Sequence, residues 1–317
     1  MNVQRCAVVV LFASLALVSD SAKTFALSGP AGMITGFEPS GSPSEVTNPV
    51  GYHTGSVLFQ DGWTGSANLP RVQTAAEISA ELTAAGLNPA GAVRSGNQAL
   101  LITKVDTNTE VSGYFAQNVF QAPLTDSKVV VDYWARPLSS GLGADPNGTP
   151  AGNGKTIGER QGNTFVGIAD DAVVRAAAIR FGVDTIPGNP LVVTARHIDF
   201  ASASAGAAVW VRSGFSWQPD QWYNFKLNLD YDTKTYDFFI NGTKVNADPI
   251  RFYNEASQAA TRLFVSRGTN QAGQIIDDVN VRAVPEPTVV VLGLQVALLA
   301  IGSSLRRSSW RRRSCLN

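Results

Sequence analysis

Over residues 222–231 the chain alternates without a break. Tyr223, Phe225, Leu227, Leu229 and Tyr231 take every second position, with Trp222, Asn224, Lys226, Asn228 and Asp230 between them. Side chains of an extended strand point to opposite faces with a period of two, so such a run folds as a strand with one face in a core and the other in solvent. Asp232-Thr233-Lys234 then reads as a turn, Tyr236, Phe238 and Ile240 resume the apolar face, and Asn241-Gly242 follows. Asn-Gly marks a tight hairpin because both residues tolerate positive φ. Residues 128–136 repeat the pattern, with Val129, Val131, Tyr133 and Ala135 on one face and Lys128, Asp132 and Arg136 on the other.

Further strands are expected within 91–105 and at 164–168, 173–181, 191–200, 209–217, 262–266 and 274–281. One helix is expected over 74–85, where Ile78 and Leu82 lie one turn apart and Gly86 can stop it. Many short strands with hairpin turns and a single helix specify an all-β chain, a two-sheet antiparallel β-sandwich. The expected arrangement is a jelly roll with one concave and one convex outer surface.

The runs at 222–231 and 235–242, the ending Ile276-Asp277-Asp278-Val279-Asn280-Val281 and the early Asp61-Gly62-Trp63 resemble the laminin-G and concanavalin A-like lectin/glucanase superfamily. That resemblance implies a concanavalin A-like sandwich over 27–283. Hydrolases on this fold carry alternating carboxylates on one strand, in the pattern Glu-x-Asp-x-Glu, to flank a glycosidic bond. The chain has no such motif, and Glu159 and Glu255 stand alone in expected loops.

The two ends read as an address. Arg5 precedes an apolar run from Cys6 to Val18, and Thr24-Phe25-Ala26 offers a cleavage site, so residues 1–26 are expected to be a secretory signal peptide, an N-terminal helix that is removed. Cleavage after Ser21 fits as well. At the other end, Val284-Pro285-Glu286-Pro287 is followed by residues 288–305 without a formal charge and then by Arg306, Arg307, Arg311, Arg312 and Arg313. An apolar stretch of that length is enough for a transmembrane helix, and the arginines favour the cytoplasmic side. Together these elements resemble the PEP-CTERM sorting signal of Gram-negative bacteria, here 284–317. The resemblance implies a partner, an exosortase-like membrane protease. It also implies transient anchoring in the inner membrane, then release to the cell surface or an extracellular polysaccharide matrix. The alternative is a tail kept as a permanent anchor.

Cys6 and Cys315 both lie in these end segments, so the domain between them is held without a disulfide. Residues 27–287 carry 18 Lys and Arg against 24 Asp and Glu, a net charge of −6. An acidic domain is a poor partner for nucleic acid, which is bound through basic surface.

Exposed aromatics on polar strand faces suit sugar rings, which makes Trp134 and Trp222 candidate glycan contacts; the competing role for each is core or edge packing. Asp170 and Asp171 follow one expected strand and precede another, a rim position where carboxylates and loop carbonyls could hold calcium. Local turn chemistry is the simpler role for them, and no cofactor is otherwise expected. Asp277, on an otherwise apolar strand, is expected to be a buried acid with partners, since an unpaired one would be costly. His53 and His197 are too few for a zinc site or a serine triad. Residues 148–156 miss the phosphate-loop spacing by one residue. The expected function is that of a non-catalytic exported surface or matrix protein, with a lectin-like carbohydrate-binding module as the alternative.

Overall fold

The computed structural model describes residues 31–39, 51–58, 60–65, 70–84, 86–102, 114–138, 165–186, 189–204, 207–267 and 273–284. The expected signal peptide, residues 139–163, the Pro285-Glu286-Pro287 motif, the apolar stretch 288–305 and the arginine tail lie outside these residues. Among the described residues no helix is long and apolar enough to cross a membrane. The chain divides into the unit Ala31–Ala283 and a second unit formed by the two terminal segments.

In chain order the strands begin with β1 (Ala31–Thr35), β2 (Gly55–Ser56), β3 (Trp63–Gly65) and β4 (Pro70–Thr74), which leads into α1 (Ala75–Ala84). Then come β5 (Gln98–Ile102), β6 (Tyr114–Leu124), β7 (Lys128–Pro137), β8 (Phe165–Ala169), β9 (Arg175–Ile186), β10 (Asn189–Ser204) and β11 (Ala207–Arg212). The last are β12 (Tyr223–Asp230), β13 (Thr235–Ile240), β14 (Thr243–Lys244), β15 (Ile250–Arg251), β16 (Ala260–Arg267) and β17 (Gln274–Ala283).

They form two antiparallel sheets, as the alternation requires. The first runs β14-β13-β12-β7-β17-β5-β4-β2, with β1 beside β17 and β15 beside β13. The second runs β11-β10-β9-β8-β16-β6-β3. Their inner faces share one core. Val131, Phe225, Leu227 and Phe238 of the first sheet pack with Ile179, Phe181, Ile198 and Leu263 of the second. The Phe181 and Phe225 rings meet at 5.4 Å, tilted rather than face to face, as their quadrupoles prefer. Each fully buried aliphatic or aromatic side chain of this kind contributes about 1.5–3 kcal/mol.

The helix is built as its sequence dictates. Thr74 and Glu77 form a capping box: the Thr74 amide donates to Glu77 Oε2 at 2.8 Å, and the Glu77 amide to Thr74 Oγ1 at 3.2 Å. Gly86, at φ 69°, turns the chain out of the helix, and the Leu87 amide returns to the Leu82 carbonyl at 2.8 Å. Ile78 and Leu82 are buried against Ala99, Leu101, Leu138 and Ile275. That cluster lies on the outer face of the first sheet, so β5 is buried on both sides.

Two parts of the fold differ from expectation. β6 was not marked by any clear alternation, because its inward positions include Asn118, whose amide donates to the Asp61 carbonyl. The strand expected over 209–217 ends at Arg212. Gly214, at φ 79°, breaks it, and Trp217 turns into the core, where its indole N–H donates to the Gly182 carbonyl at 2.8 Å.

Candidate functional site

The outer face of the first sheet has two halves. One is covered. Residues 86–97 follow α1 back across the sheet, and four side chains from below hold them. Arg136, with no exposed surface, donates to the Gly91 carbonyl at 2.8 Å and the Asn88 carbonyl at 2.7 Å, and pairs with Asp220 at 3.3 Å. Burial pushes its guanidinium down from the usual range, and the Asp220 carboxylate opposes that. Trp222 donates its indole N–H to the same Gly91 carbonyl at 2.9 Å. Glu38 accepts the amides of Asn97 and Gln98.

Asp277 supplies the fourth anchor. Its carboxylate accepts the Arg94 amide at 2.9 Å, the Ser95 amide at 3.3 Å and the Asp278 amide at 2.8 Å. A β-bulge makes this possible. Between Asp277 and Asn280 the register against β7 slips, with Asp278 at φ 49°. The extra residue lets Ile276 and Val279 both face the core while Asp277 faces the covering loop. Burial, with the neighbouring Asp278 charge, pushes the Asp277 carboxyl well above the ordinary range, against the pull of those three amides. The sequence-based expectation of a partnered buried acid therefore holds.

The other half is open. Beyond the wall formed by Trp134, whose ring lies under the Arg94 guanidinium at 4.2 Å, the strands β13, β12, β7 and β17 present their outward positions side by side. Register places Phe239, Lys226, Asp132 and Asn280 in one row. Asn228, Val130 and Arg282 form the next row. All seven are half-buried. The Asn224 amide donates to Asp132 Oδ1 at 2.6 Å. The side-chain oxygens of Asn228 and Asn280 are shielded and have no donor among the described residues.

The outer face of the second sheet is chemically different. Its charges are consumed internally. Asp199 accepts Arg180 at 2.8 Å and His197 at 2.6 Å, while Asp184 holds Arg212 at 2.5 Å. The Arg180 guanidinium also lies 4.3 Å over Trp210. Gly182 lies beneath: a Cβ there would come within 2.5 Å of the His197 ring.

The candidates named from sequence fall in separate places. Trp134 and Trp222 both lie on the outer face of the first sheet, but at its covered boundary, engaged by Arg94 and Gly91. Asp170 is buried and folds its carboxylate onto its own turn, accepting the Ala172 amide at 3.0 Å and the Val174 amide at 2.9 Å. Asp171 points outward, 3.3 Å from Arg262. Among the described residues no group of three or more His, Cys, Asp or Glu side chains is placed to hold a metal ion. Phe239, Asn280 and Arg282 were not singled out from sequence. Their signal was the outward parity of the same alternation that located the core.

No protein-family model and no curated protein matches the chain. Solved structures do. One is a sialidase, 10% identical with a TM-score of 0.40, covering 70% of this chain and 17% of its own. Another is the globular domain of T. cruzi calreticulin, 12% identical with a TM-score of 0.40, covering 81% of this chain and 98% of its own. A third is the carbohydrate-binding module CBM66 from Bacillus subtilis, 10% identical with a TM-score of 0.37, covering 70% and 96%. The chain thus spans well under two thirds of the sialidase. At such identities and scores the likenesses identify no ligand and no activity for this chain.

Proposed function

We propose that the chain is a non-catalytic exported β-sandwich, of the laminin-G or concanavalin A-like kind, that binds carbohydrate on the open outer face of its first sheet. The observation that carries this reading is the row Phe239, Lys226, Asp132 and Asn280, flanked by Asn224 and Asn228. A sugar hydroxyl both donates and accepts, and a floor of amides, a carboxylate and an ammonium offers both partners side by side. Phe239 adds an apolar contact for a ring face. The non-catalytic part is supported by the use of the acids elsewhere: Asp170, Asp199 and Asp277 each hold backbone amides or a cation. The sorting part rests on the terminal motifs, Pro285-Glu286-Pro287 and the five arginines beyond the apolar stretch.

Two measurements test the reading. Binding of the native protein to a panel of immobilised neutral and acidic polysaccharides is expected to show retention that Phe239→Ala lowers about tenfold, roughly 1.4 kcal/mol, with the thermal midpoint unchanged. Retention of no polysaccharide, or retention indifferent to Phe239, removes the carbohydrate reading. Mass spectrometry of native material is expected to find a C-terminus near Pro287. A mature chain still ending in Cys315-Leu316-Asn317 removes the sorting reading.

A further inference from the structure

We infer that the polysaccharide bound by this face is anionic, carrying carboxylate or sulfate groups, and that Lys226 and Arg282 are its charge contacts; this rests on the carbohydrate reading above. The first ground is charge placement. On the open half, the outward positions of β7, β12, β13, β14 and β17 carry Lys128, Lys226, Lys244 and Arg282 against Asp132, Asp230 and Asp237. The open half is therefore net +1 on a domain whose residues 27–287 sum to −6.

The second ground is which of these cations are already engaged. Lys244 pairs with Asp237 at 2.9 Å. Arg94 stacks on Trp134. Lys226 and Arg282 make no ion pair among the described residues, although both are half-buried. Asp132, opposite Lys226 in the register, is instead taken by the Asn224 amide at 2.6 Å. On the second sheet Arg180, Arg212 and Arg262 have carboxylate partners, while Arg196 lies 5.3 Å from the Trp217 ring centroid.

Geometry sets the kind of anion. Lys226 on β12 and Arg282 on β17 flank β7, two strands and one pleat repeat apart, which places their backbones roughly 12 Å from one another. Two fixed cations at that separation, with Asp132 and Asn228 between them, suit an extended chain with widely spaced anions and free hydroxyls. A nucleic acid does not fit. Its charges recur about every 1.7 Å along the duplex, far closer together than the two cations.

The test compares the native protein with Lys226→Gln, Arg282→Gln and the double variant. The probes are polygalacturonate, dextran sulfate, unmodified dextran and duplex DNA, each measured by affinity electrophoresis at low and high salt. Arg212→Gln, the same charge change on the outer face of the second sheet, is the control. Expected is retention by polygalacturonate, dextran sulfate or both, weakened by salt. Each single variant should lose about threefold to tenfold and the double variant all measurable retention, with Arg212→Gln unchanged. The carboxylate and sulfate probes separate the two sources of anion. Equal retention by unmodified dextran, sensitive to Phe239→Ala but not to Lys226 or Arg282, overturns this inference and leaves the carbohydrate reading intact. Equal retention by DNA overturns it too, as does loss in Arg212→Gln to the same extent. If no polysaccharide is retained, both fall together.

Discussion

Arg136→Met is expected to destabilise the domain by about 3–5 kcal/mol, the cost of removing one partner from a buried charged network. The side chain has no exposed surface, and its guanidinium serves two carbonyls and a carboxylate at once. Methionine keeps most of the stem but none of the donors. The Asn88 carbonyl and Asp220 then lose their bonds to Arg136, and Gly91 keeps only the indole of Trp222. Against a total stability of roughly 5–15 kcal/mol this is a large fraction. Urea denaturation should show the midpoint falling sharply. Arg136→Lys should recover part of the loss, since an ammonium restores the charge but not the planar fork. Tryptophan emission should shift in the folded variant, because residues 86–97 cover Trp134 and Trp222. A midpoint within error of the native one would show that this segment is held without Arg136.

The second large effect is expected at Asp277, and it has a pH signature. Asp277→Ala strands the Arg94 and Ser95 amides beneath the covering loop, at about 1–3 kcal/mol for each buried group left unbonded. Asp277→Asn keeps the shape and removes the charge. Because burial and Asp278 raise the carboxyl in the folded protein, the folded state holds a proton that the unfolded chain has already released above about pH 4. Stability from this group is thus full below that value and declines as pH rises through the elevated folded value. Thermal denaturation from about pH 4 to 8 should show the native midpoint falling with pH relative to Asp277→Asn. Parallel profiles for the two proteins would sink the assignment.

The sandwich was readable because its central strands alternate strictly: β12 and β13 place every inward residue in the core, and no outward one. α1 was readable from Ile78, Leu82 and Gly86 for the same reason, a period matched to one buried face. β6 was not, since a buried amide such as Asn118 looks polar in sequence and finds its partner only in the fold. For the site, the outward positions of Trp134, Trp222 and Lys226 were readable. What covers the first two was not. That depends on Arg94 and Gly91, which reach them through pairings such as Ser95 with Asp277, 182 positions apart, where local pattern carries no information. Asp277 was readable as an acid on an apolar strand, but the bulge that re-aims it was not.

The position of β17 bears on how the protein is made. This strand ends at Ala283, yet it lies inside the first sheet, between β7 on one side and β5 and β1 on the other. A ribosome working from the N-terminus delivers it last among the strands of the sandwich. Until then β5 and β7 lack their shared neighbour, and the Arg94 and Ser95 amides lack Asp277. The sandwich therefore waits for its last strand, as expected where long-range contacts dominate.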